Sequence, residues 1–229
     1  MKDLAVIETI LRNRYHFFQE IGEGIGLQEK MRAMLVSSIA FLALYGAVMG
    51  STHSLWQALS SAVKLPILFL ATLIVCSPTL YFFNVLFGSK QSLTQNIALI
   101  LTAITVTAVL LLSFAPITLF FLLTTSHYQF FKLLNVAIFT IAGSMGVLFL
   151  SQGMRVVSAS GNEGAYARRW VLRLWILIYG FVGSQMAWTL RPFIGAPSMR
   201  FELFRQLGGN FYANILASIG EILGFVVVK

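Results

Sequence analysis

The sequence lacks acidic residues across most of its length. No Asp or Glu occurs from residue 30 to residue 162, and only six Lys or Arg lie in that stretch. Ionisable side chains in membrane spans mark ion pathways and proton relays, so their scarcity argues against ion-coupled transport and acid–base catalysis. The single cysteine, Cys76, also excludes an intrachain disulfide.

Motifs for catalysis are scarce as well. The chain has no G-x-S-x-G sequence, and Gly88-Ser89-Lys90 matches only the tail of a phosphate-binding loop. No Ser or His has an acidic residue in its local segment that would complete a nucleophilic triad. We therefore predict that the protein is not an enzyme.

Charged residues are few and apolar residues are many. Charged residues make up 10% of the chain and apolar residues 58%, whereas charge is about a quarter of an average soluble domain. The apolar residues form long runs separated by short polar gaps, which is typical of transmembrane helices. We predict an all-α, polytopic transmembrane helical bundle of five to six spans. It forms one domain, residues 31–229, after an N-terminal amphipathic segment, residues 1–30.

The N-terminal segment has the pattern of an amphipathic helix. Its apolar residues recur at roughly helical spacing: Leu4, Ile7, Leu11, Phe18 and Ile21. Such a helix lies in the membrane interface or packs on a partner or on another part of the chain. The glycines at 22, 24 and 26 end it and suggest a hinge.

Five apolar runs are long enough to cross a bilayer: residues 33–49, 65–87, 96–114, 133–150 and 170–190. Residues 51–63 are expected to form a short connection. The last apolar stretch, 211–228, contains Glu221 and is barely long enough to cross. It forms either a sixth span or an interfacial helix.

Two prolines are candidate hinges. Pro78 lies in the middle of the second span, where a kink is expected because a proline lacks the amide that closes the preceding helical turn. Pro116 lies in an apolar run that extends to residue 123. We expect a break there, with residues 115–123 forming a kinked or re-entrant piece, or else a continuous, tilted extension of the span.

The distribution of basic residues predicts the orientation. Ten lie on the N-terminal side of the predicted topology: Lys2, Arg12, Arg14, Lys30, Arg32, Lys90, Arg155, Arg168, Arg169 and Arg173. Five lie on the other side: Lys64, Lys132, Arg191, Arg200 and Arg205. The N-terminus is therefore predicted to be cytoplasmic, and the expected location is a bacterial inner membrane. Because the basic residues flank the spans and form no single patch, the net charge of +8 does not predict nucleic-acid binding.

Small residues four apart allow helices to approach closely in lipid. Three such pairs occur in the predicted spans: Gly46 and Gly50, Ala142 and Gly146, and Gly180 and Ser184. We expect them to pack helices within the bundle more than to form dimers. Asn84 and Asn135 are expected to form hydrogen bonds between helices.

Two histidines are candidate cofactor ligands. His53 and His127 fall in connections on the same predicted side, where they could hold a haem or a pigment. The alternative, which we favour, is that both are ordinary interfacial residues and that the protein has no cofactor and no metal site, because structural zinc normally has four ligands.

The region after the fifth span has the composition of a membrane interface. Aromatic residues alternate there with arginines, in particular Trp188, Arg191, Phe193 and Arg205. We predict an aromatic belt with the arginines at headgroup level. Contact with a specific lipid or a partner protein is the alternative.

One part of the chain resembles a known family. The sequence Gly88-Ser89-Lys90-Gln91-Ser92-Leu93-Thr94-Gln95 precedes a long apolar helix that ends at Ala115-Pro116-Ile117. Over residues 65–150 this arrangement is similar to the Yip (Ypt/Rab-interacting protein) superfamily of small multi-span proteins. The resemblance implies a cytoplasmic N-terminus and a role as a membrane scaffold or adaptor.

Three functional hypotheses follow. The leading one is a non-catalytic integral membrane scaffold, assembly factor or accessory subunit, whose partners are the lipid bilayer and other integral membrane proteins. The first alternative is a transporter or lipid-handling protein that uses the proline-broken helices. The second alternative is a pigment- or haem-binding membrane subunit.

Overall fold

The computed structural model of the protein describes residues 2–51, 54–86, 89, 91–125, 127–157, 165–195, 202–204 and 209–223. All regular secondary structure within these residues is α-helical, as predicted. The helices are α1 (Lys2–Arg12), α2 (Arg14–Glu23), α3 (Leu27–Gly50), α4 (Leu55–Leu86), α5 (Leu93–Thr124), α6 (Tyr128–Val157), α7 (Ala165–Thr189) and α8 (Phe211–Ile222).

Five of these helices, α3 to α7, are long and apolar enough to cross a membrane. The chain is therefore a multi-pass membrane protein, and the five predicted core spans are confirmed. The twelve residues of α8 rise only about 18 Å at 1.5 Å per residue, which is less than the ~30 Å hydrocarbon core. The described part of this helix is thus too short for a sixth span, and residues 224–228 lie outside the described residues.

The second span differs from its prediction at its N-terminal end. We expected residues 51–63 to form a connection, but α4 begins at Leu55 and runs for 32 residues. Pro66 and Pro78 both lie inside this helix. A proline removes one backbone hydrogen bond, and here the packing of residues 57–65 against neighbouring parts of the chain keeps the helix intact.

The break expected at Pro116 is also wrong, because α5 is one continuous helix from Leu93 to Thr124. Pro116 is exposed, whereas its neighbours Ala115 and Thr118 are buried. The proline therefore lies on the outer side of the helix, and the buried side keeps its packing. The structure therefore agrees with the alternative expectation, in which residues 115–123 continue the span as one helix.

The N-terminal segment forms two helices that pack on the bundle. α1 and α2 meet at Asn13, and α2 ends at Gly24, whose φ of 80° is left-handed and suits glycine. Phe17, Phe18 and Ile21 are almost fully buried. Of the two expected arrangements, the structure has the helix packed on the rest of the chain.

The spans form a bundle with α5 at its centre. α5 packs on α3, α4 and α6, and α3 also packs on α4. α7 packs on α4, while α8 contacts both α6 and α7. Since α1 and α2 contact the start of α3 and the end of α6, we call that end of the bundle proximal. The other end, which carries α8, is the distal end.

Candidate functional site

The first small-residue pair lies at a close helix crossing. Gly46 and Gly50 on α3 face the backbone of α4, and a Cβ atom on Gly50 would lie 2.5 Å from the carbonyl oxygen of Gln57. A Cβ on Gly46 would clash with the carbonyl of Ser61 in the same way. Any larger residue would therefore separate these two helices.

The second pair lies at a similar crossing between α5 and α6. A Cβ atom on Gly146 would lie 2.6 Å from the carbonyl oxygen of Ala103, and it would also clash with the hydroxyl of Thr107. Ala142 is fully buried at the same contact. These two crossings join α3, α4, α5 and α6 into one tightly packed unit.

The third pair is not at a close crossing, contrary to our expectation. A Cβ atom on Gly180 would meet nothing within 4 Å. The Ser184 hydroxyl lies 3.0 Å from the Tyr212 hydroxyl on α8. A Cβ atom on Gly183 would meet only the Thr72 side chain, at 3.9 Å. The small residues of α7 therefore border a space and do not pack on a helix.

That space is a cavity of about 440 Å³, which we call the lateral cavity. It lies between α6 and α7, because α6 packs on α5 and α7 packs on α4, and the described residues of α6 and α7 are not closely packed on each other. α4 and α5 form its back wall. Its lining includes Leu68, Phe69 and Thr72 of α4, Lys132, Val136, Phe139, Thr140 and Gly143 of α6, and Tyr179, Gly180, Gly183 and Ala187 of α7.

A smaller space continues the lateral cavity toward the proximal end. It has a volume of about 70 Å³ and shares Phe69, Thr107, Gly143 and Tyr179 with the larger space. Farther along, it is lined by Trp175 and Leu150. The opening between α6 and α7 therefore follows these helices through much of the membrane.

The surface of the lateral cavity is almost entirely apolar, even where its residues carry hydroxyls. Thr72, Thr107 and Thr140 each donate a hydrogen bond to the carbonyl four residues earlier, at 2.7, 2.9 and 2.8 Å. Such hydroxyls are satisfied within their own helices. The interior therefore presents hydrocarbon to whatever enters, and it suits an apolar ligand.

The distal end of the lateral cavity carries a cation. Lys132 lines the cavity, and its Nζ donates to Asn214 Oδ1 on α8 at 2.9 Å. The same Nζ lies 5.8 Å from the centre of the Tyr128 ring. Nearby, Gln129 donates to a carboxylate oxygen of Glu221 at 2.7 Å. α8 is thus attached to α6 by two polar contacts.

The segment that follows α7 closes the distal end. Gln57 Nε2 donates to the carbonyl oxygen of Pro192 at 2.8 Å, and the Ser61 hydroxyl donates to that of Phe193 at 2.6 Å. The ammonium of Lys64, 4% exposed, also donates to the Pro192 carbonyl at 3.4 Å. α4 therefore holds this segment by its backbone, which leaves the Phe193 side chain to line the cavity.

Three of the predicted interfacial residues lie at this end: Trp188, Arg191 and Phe193. The guanidinium of Arg191 stacks on the Trp188 ring at 3.6 Å from its centre, which is a cation–π contact. Phe193 lies against α4 and the lateral cavity, so it is more enclosed than a residue of an aromatic belt. Arg205 lies outside the described residues.

Among the described residues that line the lateral cavity, there is no candidate cofactor ligand. His127 is exposed in the connection between α5 and α6, and His53 lies outside the described residues. Over the described ranges, no group of three or more His, Cys, Asp or Glu side chains is placed to hold a metal ion.

The carbonyls next to Pro78 bind side chains of other helices. Trp175 Nε1 on α7 donates to the carbonyl of Cys76 at 2.9 Å, and Asn96 Nδ2 on α5 donates to that of Ser77 at 3.3 Å. Pro78 therefore lies where α4 is tied to both neighbours, and the helix continues through it. This arrangement braces the predicted hinge.

Both asparagines expected to join helices do so. Asn84 donates to Asn96 Oδ1 at 3.3 Å, which links α4 to α5. Asn135 Oδ1 accepts from the Tyr45 hydroxyl at 2.9 Å, which links α6 to α3. The Tyr45 oxygen also lies 3.3 Å from the hydroxyl of Thr118 on α5. One buried tyrosine thus connects three spans.

Sequence analysis missed Lys132, Gln57, Ser61 and Lys64 as site residues. The two lysines could have been found from the sequence, because a charged residue inside an apolar helix is costly and usually functional. Both were instead counted as residues that flank the predicted spans. Nothing in the local sequence distinguished Gln57 and Ser61 from other polar residues.

Comparison with protein-family models, with curated proteins and with solved structures finds no match to this chain. Its function is therefore argued from the site alone.

Proposed function

We propose that the protein is a non-catalytic, lipid-handling membrane protein that binds a hydrocarbon chain in the lateral cavity. The observation that carries this proposal is the cavity itself, about 440 Å³ of apolar space between two spans. Its threonine hydroxyls are bonded within their own helices, so water would find few partners there. The hydrocarbon that surrounds a membrane protein in greatest amount is the acyl chain of a lipid.

The glycines of α6 and α7 make room for that chain. A Cβ atom added to Gly143 or to Gly180 would meet no atom within 4 Å, so the space in front of both glycines is available. A side chain at either position would extend into the lateral cavity. Filling the cavity should therefore be possible without disturbing the packing of the bundle.

The test is to fill the lateral cavity and to count bound lipids. Gly180→Leu should abolish the retention of one lipid by the purified protein, as measured by native mass spectrometry. Leu177→Phe is the matched control, because Leu177 is 71% exposed on the same helix and does not line the cavity. Equal lipid retention by Gly180→Leu and the wild type, or no retained lipid in the wild type, would rule the proposal out.

A role as a scaffold or accessory subunit in a larger membrane complex is a second candidate. It is favoured by α7, the least buried of the five spans, with 11% of its most apolar stretch buried. Leu174, Leu177 and Phe181 are all more than half exposed on it, and helices of other integral proteins could cover them. This candidate predicts stable co-purification in mild detergent, and repeated isolation of a lone monomer would refute it.

We further propose that the protein lies in a bacterial inner membrane with its N-terminus in the cytoplasm. The excess of basic residues at the proximal end supports this orientation. The distal end, which carries Lys132 of the lateral cavity, then faces away from the cytoplasm. Labelling a cysteine introduced at exposed Tyr166 with a membrane-impermeant reagent tests it, because a cytoplasmic residue is labelled only after lysis.

A further inference from the structure

One cation lines the lateral cavity, and it lies at the distal end. Lys132 is four residues past the start of α6, which places it near the depth of the lipid headgroups, and its side chain is partly buried. Among the described lining residues no other side chain carries a charge. A charged side chain in such a place is costly unless something of opposite charge or high polarity meets it.

The described partners of Lys132 compensate its charge only in part. The ammonium donates to a neutral amide oxygen, Asn214 Oδ1, and lies near the neutral ring of Tyr128. The carboxylate of Glu221 is near enough to attract the ammonium, but it accepts its hydrogen bond from Gln129, and among the described residues no ion pair joins it to Lys132. Because an ammonium has three donors, Lys132 has capacity for further acceptors.

The length of the lateral cavity along α6 matches one leaflet of the membrane. From Lys132 to Gly143, which both line the cavity, α6 rises about 17 Å at 1.5 Å per residue, roughly half of the ~30 Å hydrocarbon core. The smaller space adjoins the cavity at Gly143. A molecule with an anion at Lys132 and a hydrocarbon chain along α6 therefore fits the site.

We infer that the occupant of the lateral cavity is an anionic phospholipid whose headgroup phosphate binds Lys132. This inference rests on the proposed function, because it specifies the ligand of the same cavity. It also specifies the orientation of the lipid, since the headgroup lies at the distal end and the chain points toward the proximal end. With a cytoplasmic N-terminus, the lipid comes from the outer leaflet.

The experiment compares two phospholipids that have the same acyl chains and differ only in their headgroups. Native mass spectrometry is performed on the full-length protein in micelles containing equal amounts of phosphatidylglycerol and phosphatidylethanolamine. The wild type should retain phosphatidylglycerol in about fivefold preference, the size expected for one lysine near an anionic group. Lys132→Gln should retain lipid but lose the preference, and Lys132→Arg should keep it. Glu221→Gln should increase it, because a competing negative charge is removed.

Arg155→Gln is the matched control, since Arg155 is an exposed cation at the opposite end of the same helix. It should leave the preference unchanged, and thermal unfolding shows whether each variant is folded. If the wild type retains both lipids equally, or if Lys132→Gln keeps the preference, the inference is overturned while the proposed function stands. If the wild type retains neither lipid, the proposed function itself fails.

Discussion

Two glycines on α6, three residues apart, show how differently the two sides of this helix are packed. Gly146 lies against the backbone of α5, where a Cβ would come within 2.6 Å of a carbonyl oxygen. Gly143 faces the lateral cavity, where a Cβ would meet nothing within 4 Å. The same residue type therefore serves close approach on one side and open space on the other.

The contrast extends to whole helices. Of the five spans, α5 is the most buried, with 61% of its most apolar stretch inside the protein, and α7 is the least, with 11%. α5 is held by its small-residue crossing with α6 and by buried hydroxyl contacts with α3, whereas α7 is held at Trp175 and at its distal end. In a membrane, where burial of apolar surface from water does not drive helices together, packing quality decides stability. We therefore expect the α3–α6 unit to be rigid and α7 to be the helix that moves.

The largest difference should appear when each of the two glycines is replaced by leucine. Gly146→Leu forces the α5–α6 crossing apart and should lower the free energy of unfolding by about 3 kcal/mol, the upper part of the usual range for overpacking. Gly143→Leu places the same side chain in the lateral cavity and should change it by less than about 0.5 kcal/mol. Both are measured by reversible unfolding in mixed micelles. Similar losses for the two variants would show that the sides of α6 do not differ.

A smaller effect should follow from releasing α7. Trp175 is 3% exposed, and its indole N–H bonds the Cys76 carbonyl. Trp175→Leu should cost about 2 kcal/mol, because a large buried side chain and a hydrogen bond are lost. Hydrogen exchange should rise in α7 and stay unchanged in α5. Trp170→Leu, at a residue 54% exposed, is the control, and increased exchange in all spans of Trp175→Leu would contradict a separately moving α7.

The smallest effect should come from the buried tyrosine. Tyr45→Phe removes the hydroxyl that joins α3 to Asn135 and Thr118 and should cost about 1 kcal/mol, between the ~0.6 average and ~1.7 maximum measured in membranes. A double-mutant cycle with Asn135→Leu isolates the pair. Tyr166→Phe, at a residue 75% exposed, should be neutral. A coupling energy of zero would show that the hydrogen bond contributes nothing to the rigid unit.

The five spans were predictable because hydropathy is a local property. The small-residue spacing also located Gly46, Gly50 and Gly146, since close crossings in lipid require small residues. The same spacing failed at Gly180. A small residue permits a neighbour to approach, but the sequence around it does not say whether a neighbour is there.

The errors at α4 and α5 have a related cause. Residues 55–64 form the first part of α4, where Gln57 and Ser61 bind a segment more than 130 residues later, and such a contact leaves no local periodic signal. Pro116 was expected to break α5, but the proline lies on the exposed side of the helix. The lateral cavity depends on two helices not touching, so it became visible only in three dimensions.

The way α4 holds the segment after α7 has a consequence for how the site can vary. Gln57, Ser61 and Lys64 bind carbonyl oxygens of this segment, which every residue type provides. The side chains of Phe193 and Ile194 are therefore free to differ without loss of the attachment, although both line the cavity. The backbone provides the attachment and the side chains shape the cavity, so substitutions at these two positions should change the length of the chain that we propose it binds while the helices stay in place.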